Sequence, residues 1–288
     1  MAVQFFGQFL MERGIVTGTA LRDAIQLQEK NNIKLGETAV AMGLITLADI
    51  QRAHNAQLSK DMKLGDLLVE MGLLTLIQLD DIITRQKNNH LHIGEALVQL
   101  GVLTADTLRQ HLDAFKTDQA RYLSSSIELP VISANNAIWE MTADLTFKMI
   151  TRVLNLQFHA GTCTTPTVLS PNFMMAAMDL SGDVTARYLI SVSQELQKSI
   201  ARAILGEASV DDEPAEVLED TVMEFVNVVC GNVAAKASQT GVILNINPPV
   251  ALHPPADGLA VPSGHTALCF PIHTSNGELM EMNLIIKE

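Results

Sequence analysis

Four residue columns return every 29 positions through the first 116 residues. Gly7, Gly36, Gly65 and Gly94 form one, and Gly14, Gly43, Gly72 and Gly101 a second. Thr17, Thr46, Thr75 and Thr104 form the third, and Leu21, Ile50, Leu79 and Leu108 the fourth. Four columns in register over four copies constrain the fold strongly, because each copy must be the same small unit and must bury its apolar face against another copy. Each unit reads as a helix pair. A short helix, as in GETAVAMG, ends at a glycine suited to the left-handed position past a helix C-terminus. A threonine three residues later can cap a longer helix. Thr75 with Gln78 makes a capping box in sequence, and Thr46 with Asp49 a weaker one. The four units are expected to stack into one all-α domain covering residues 1–116.

Charge removes several functions. The 288 residues carry 19 Lys/Arg and 32 Asp/Glu, a net of −13, and aromatics make up only 4%. Such a chain lacks the cation excess that displaces phosphate counterions and the ring surfaces that stack bases, so neither nucleic acid nor an anionic membrane is an expected partner. Cys163, Cys230 and Cys269 are widely spaced and form no CxxC, reading as reduced thiols. The eight His form no zinc signature, and neither GxSxG nor GxGxxG nor GxxxxGK[ST] occurs. Neither a signal peptide nor a membrane-spanning run is legible, so a cytoplasmic location is expected.

The second and third units add a further pattern. They read Lys34-Leu35-Gly36 … Gln57 and Lys63-Leu64-Gly65 … Gln86, separated by a spacer at 58–62. This resembles the tandem motif of the MshEN domain of type II secretion and pilus ATPases, some of which bind cyclic di-GMP. The resemblance implies that these eight residues would form a cyclic di-GMP site. Two departures favour a protein-docking or structural role over nucleotide binding. Lys stands where the nucleotide-binding members favour Arg, giving a point charge in place of a two-bond fork. The fourth unit has His92 and Phe115 at the matching positions. The plain reading is that the lysines are solvated and the glycines are helix caps.

Residues 117–134 lose the period and read as a linker, with Ser124–Ser126 and Pro130. From 135 to 288 the pattern turns to mixed helix and strand, an α/β (α+β) domain. Expected there are a helix over 136–154, strands at 173–180 and 184–191 around Ser181-Gly182-Asp183, and a helix capped by Ser193 and stopped by Gly206. Strands near 242–246, 266–272 and 279–286 complete it, the last two turning at Asn276-Gly277. The stretch after Pro214 is a long helix. With Asp220 at 0° and about 100° per residue, Glu224, Asn227 and Gly231 fall within about 40° of it, while most other directions are apolar. One polar ridge on a buried helix follows, and Gly231 would let a partner approach it closely.

Asp220-x3-Glu224-x2-Asn227, followed by Gly231-Asn232 and Pro248-Pro249, resembles the active-site motif of the CheC/CheX/FliY phosphatases. Residues 135–288 as a whole are similar to CheX in their order of hairpin, helix and active-site helix. Twenty or 21 residues separate Asn227 from Pro248 or Pro249, where the family spacing is nearer 22. The resemblance implies hydrolysis of the aspartyl phosphate of a CheY-like response regulator. Asn227 would hold the attacking water, Glu224 would pair with a lysine of the regulator, and Asp220 would help docking. It also implies Mg²⁺ brought by the regulator, no cofactor or metal of the chain's own, and a homodimer. Two other readings stay open: a non-catalytic adapter, and a cyclic di-GMP receptor whose second domain is only an output. Of the −13, residues 1–116 hold −2 and residues 117–288 hold −11, with seven acids and no Lys or Arg in Asp211–Glu224.

Overall fold

A computed structural model describes residues 5–57, 60–119, 127–130 and 135–287. Residues 58–59 of the expected spacer, and 120–126 and 131–134 of the expected linker, lie outside these. The chain divides into two compact units, Met1–Arg121 and Tyr122–Glu288.

The N-terminal unit is helical: α1 (Phe6–Glu12), α2 (Gly18–Asn31), α3 (Leu35–Ala41), α4 (Leu47–Gln57), α5 (Leu64–Glu70), α6 (Leu76–Asn89), α7 (Ile93–Gln99) and α8 (Ala105–Gln119). Short and long helices alternate for local reasons. Gly14, Gly43, Gly72 and Gly101 take φ between 66° and 70°, which a residue with a Cβ adopts only under strain. The Thr17 hydroxyl accepts from the Ala20 N–H, and Thr75 and Gln78 cap each other's backbone. Each such cap stabilises its helix by about 1 kcal/mol.

Two of the periodic columns touch each other. A Cβ on Gly36 would lie 3.0 Å from Ile50 Cδ1, one on Gly65 2.6 Å from Leu79 Cδ1, and one on Gly94 2.5 Å from Leu108 Cδ1. These glycines are therefore not caps. They lie inside the short helices and let the following long helix close on the backbone. Nor do the helix pairs stack serially around one core. The first packs with the fourth, around Phe9, Leu10, Ala24 and Leu97. The second packs with the third, around Ala39, Ala53, Leu67, Leu68 and Ile82. Phe115 explains the departure in the fourth copy: its ring meets Phe6 and Phe9 edge-on, at 5.4 and 5.3 Å between centroids. The position has become core.

The C-terminal unit runs α9 (Asn136–Arg152), β1 (Phe158–Ala160), β2 (Val168–Leu169), β3 (Met174–Gly182), β4 (Ala186–Val192), α10 (Gln194–Leu205) and α11 (Ala215–Gln239). It continues with β5 (Leu244–Ile246), β6 (Val250–Leu252), β7 (Leu259–Ala260), β8 (His265–Thr274) and β9 (Leu279–Lys287). Seven strands make one antiparallel sheet in the order β1-β8-β9-β4-β3-β5, with β6 also on β3; β2 and β7 pair separately. The short strands β1, β2, β6 and β7 carried no run long enough to announce them in sequence.

The sheet is apolar on both faces. Met174, Ala176, Met178, Tyr188, Ile190, Phe270, Met282 and Leu284 meet α9, α10 and α11 in the main core. Met175, Ala177, Leu189, Ala267 and Ile285 point the other way, under Leu169 of β2. That explains the methionine run in β3, which a one-sided strand would not tolerate. The Ser193 cap and the left-handed stop at Gly206, φ 74°, bound α10 at the two positions expected.

Candidate functional site

Helix α11 sets the geometry. Pro214 stands immediately before its first residue, and Lys198 on α10 binds Asp211 at 2.7 Å just ahead of it. One side of the helix is core: Val222, Phe225, Val226, Val229, Cys230 and Val233 are each fully buried. Twenty-five residues anchored this way leave little freedom to the opposite ridge. Asp220, Glu224 and Asn227 are exposed along it, and Gly231 continues it half-buried. A Cβ on Gly231 would meet nothing within 4 Å, so the ridge is low there because nothing stands on it. The Asn227 amide donates to Glu224 Oε2 at 3.3 Å, orienting the two side chains together. Asn232, next to Gly231 in the motif, is buried and donates to the Val228 carbonyl at 2.8 Å, so it serves the helix.

The ridge faces a second wall. Ile246, Asn247, Pro248 and Pro249, at the β5–β6 junction, lie across from Asp220, Met223, Glu224 and Asn227, enclosing a cleft of about 610 Å³. The proline pair, loosely spaced in sequence, is thus brought to the acid–amide ridge by the fold. Beside the cleft, His253 Nε2 lies 3.2 Å from a Glu219 carboxylate oxygen, tying the strand exit after β6 to α11. Sequence reasoning missed Asn247, Met223 and the Glu219–His253 contact. The one available signal was that Asn247 immediately precedes the two prolines.

The three thiols are poor nucleophiles. All are free and buried, and burial pushes Cys163 and Cys269 up to about 12 and raises Cys230 as well. Among the described residues no group of three or more His, Cys, Asp or Glu is placed to hold a metal ion, and no helix is long and apolar enough to cross a membrane.

In the N-terminal unit, Lys34 and Lys63 stand exposed at the N-termini of α3 and α5. Leu35 and Leu64 are half-buried, and Gly36 and Gly65 are buried in the helix contact described above. The two glutamines are engaged by the chain itself. Gln57 donates to the Met62 carbonyl and Gln86 to the Ile33 carbonyl, both at 2.9 Å. Each carbonyl directly precedes one of the lysines, so the inner helix pairs brace each other's lysine turns reciprocally. A concavity of about 810 Å³ in this unit lies among Lys30, Asn31, His90, Glu95 and Gln99 and is lined by none of the eight nucleotide candidates. His90 and His92 are exposed, their rings 4.7 Å apart edge to face.

The C-terminal unit is an antiparallel sheet backed by helices, with an acid–amide ridge facing a proline-walled cleft. Residues 174–273 match the family model for the chemotaxis phosphatase CheX, so this part of the chain is a CheX-like domain. The matched span runs from β3 through most of β8 and includes α11 and both walls of the cleft. Among solved structures, a chemotaxis protein CheX from Desulfovibrio desulfuricans is 16% identical with a TM-score of 0.46, covering 52% of this chain and 99% of that one. A CheC-like superfamily protein from Shewanella sp. PV-4 is 16% identical, TM-score 0.46, covering 55% and 100%. The CheX–CheY–BeF3–Mg²⁺ complex from Borrelia burgdorferi matches at 20% identity and TM-score 0.45, covering 52% and 98%. A comparison with curated proteins returns no match.

Proposed function

We propose that this chain hydrolyses the aspartyl phosphate of a CheY-like response regulator in chemotaxis-type signalling, as a cytoplasmic protein. The observation that carries the reading is that Glu224 and Asn227 share one exposed ridge of α11, hydrogen-bonded to each other and facing the cleft, within a span that matches the CheX family model. An acyl phosphate is already activated, so the reaction calls for no strong nucleophile or base. It calls for a water held in line with the bond to be broken. The water oxygen bonds to phosphorus, and the bond from phosphorus to the acyl oxygen breaks. Its electron pair stays on the regulator's aspartate, and the water's protons leave on inorganic phosphate.

A neutral amide can hold that water without competing for its protons, which is the role of Asn227. Glu224 is a turn away, where it meets a lysine of the regulator and fixes the register. Asp220 extends the acidic ridge for docking. Mg²⁺ held by the regulator supplies charge neutralisation at the phosphoryl group. The acids of Asp211–Glu224 complement a partner face that presents lysine and a bound cation, and they repel bare phosphate.

The test is the decay of a phosphorylated receiver domain with and without the protein. Wild type should accelerate it, and Asn227→Ala should slow the accelerated step by about 10²–10³-fold, the usual cost of losing one preorganised positioning group. Equal decay with both proteins would sink the enzymatic reading, and complex formation without faster decay would make the chain an adapter.

For the N-terminal unit the docking role is the better supported, because Gln57 and Gln86 each spend an N–H on the chain's own carbonyls. Cyclic di-GMP titrating at micromolar concentration, and lost on Lys63→Ala, would reverse that choice. The resemblance to CheX also makes a homodimer the proposed assembly, which sedimentation of the full chain decides.

A further inference from the structure

The cleft holds two acids and four residues whose side chains carry no hydrogen-bond donor: Met223, Ile246, Pro248 and Pro249. Its side-chain N–H donors are the amides of Asn227 and Asn247 alone. That inventory is short for the proposed substrate. A phosphoryl group is dianionic, and it would enter beside the Asp220 and Glu224 carboxylates. Asn227 has one N–H engaged with Glu224, and holding the water draws on its other N–H or its carbonyl oxygen, so it has at most one N–H to offer a phosphoryl oxygen.

Asn247 is placed to supply a further donor. Its backbone N–H donates to the Asp179 carbonyl at 3.1 Å, joining the β5–β6 turn to β3. Asp179 is itself fixed, its carboxylate held by Arg187 across β3 and β4 in two bonds of 2.7 and 2.9 Å. The following Pro248 confines Asn247 to extended backbone, and two successive prolines stiffen the wall. The side chain, by contrast, is exposed and has no hydrogen-bond partner among the described residues. A rigid backbone carrying an unengaged amide at the edge of an acidic cleft is the arrangement expected of a donor waiting for its acceptor.

We propose that Asn247 is a second catalytic amide of this site, donating to a phosphoryl oxygen of the bound regulator while Asn227 holds the attacking water. The proposal rests on the phosphatase reading and divides its chemistry between two walls. The α11 wall positions the nucleophile, and the β5–β6 wall holds the group being transferred.

The experiment measures receiver dephosphorylation by the full-length wild type and by Asn247→Ala, Asn247→Asp and Asn227→Ala, with Trp139 fluorescence confirming the fold of each. Asn247→Ala should slow the catalysed decay by about ten- to a hundredfold, the usual cost of deleting a hydrogen bond to a charged group. Asn247→Asp should be slower still, since a carboxylate of the same shape repels the phosphoryl group in place of donating to it. A merely structural role predicts the reverse order, because the near-isosteric Asp would preserve the turn better than Ala. Wild-type rates in both Asn247 variants, or Asp faster than Ala, would overturn the proposal while leaving Asn227 as the site's amide. No acceleration by wild type, or none lost in Asn227→Ala, would remove the phosphatase reading and this proposal with it.

Discussion

Replacing Gly231 by alanine separates folding from function on the ridge of α11. Glycine inside a helix costs about 0.8–1 kcal/mol relative to alanine, because the unfolded chain gives up more freedom there. The opposing cost of a new methyl group is absent: a Cβ at this position meets nothing within 4 Å. Gly231→Ala should therefore stabilise the C-terminal unit by about 0.8–1 kcal/mol, raising its melting temperature by about 2–4 °C. Denaturant unfolding followed by tryptophan fluorescence isolates that unit. Trp139 is the only tryptophan, and its side chain, on α9, is 2% exposed in the main core. The same methyl stands one helical turn beyond Asn227, on the surface where a regulator would dock. Dephosphorylation should fall by tenfold or more as stability rises. A loss of stability would contradict the open ridge. A gain of stability with unchanged dephosphorylation would show that no partner closes over this part of the helix.

Two further predictions concern the fold. Gly65→Ala, the same substitution in a different setting, should destabilise the N-terminal unit by about 1–3 kcal/mol. Its Cβ would lie 2.6 Å from Leu79 Cδ1, and overpacking outweighs the gain in helix propensity. Helical circular dichroism reads that loss, and a more stable variant would refute the glycine–leucine contact. The second concerns Glu281, whose carboxyl is raised above the ordinary glutamate range by burial, with a bond from Ser170 pulling the other way. The folded state holds this proton to higher pH than the unfolded chain does. Stability should then fall as pH rises from the ordinary glutamate pKa through the raised native one. Glu281→Gln should flatten that slope in a series of denaturant titrations; an unchanged slope would assign it to other groups.

The 29-residue period by itself determines much of the local structure of the N-terminal unit. Helix ends at Gly43 or Gly72 and caps at Thr75 follow from local chemistry, since a left-handed residue or a capping hydroxyl acts within four residues of its own position. The ridge on α11 was legible for the same reason: 100° per residue places Asp220, Glu224 and Asn227 together whatever surrounds them. Tertiary structure decided which surfaces meet. Near-identical helix pairs have equivalent apolar faces, and the sequence does not say that the first copy chooses the fourth, or that Gly65 exists to admit Leu79. Nor does local patterning bring Asn247 to Asn227. The wall that carries it is a short turn with no periodicity, held by the pairing of β5 and β6 with β3 and by the bond to the Asp179 carbonyl, on a strand far away in the chain. Position along a helix is set by local geometry, but the far side of a cleft is set by the packing of elements that share no sequence neighbourhood.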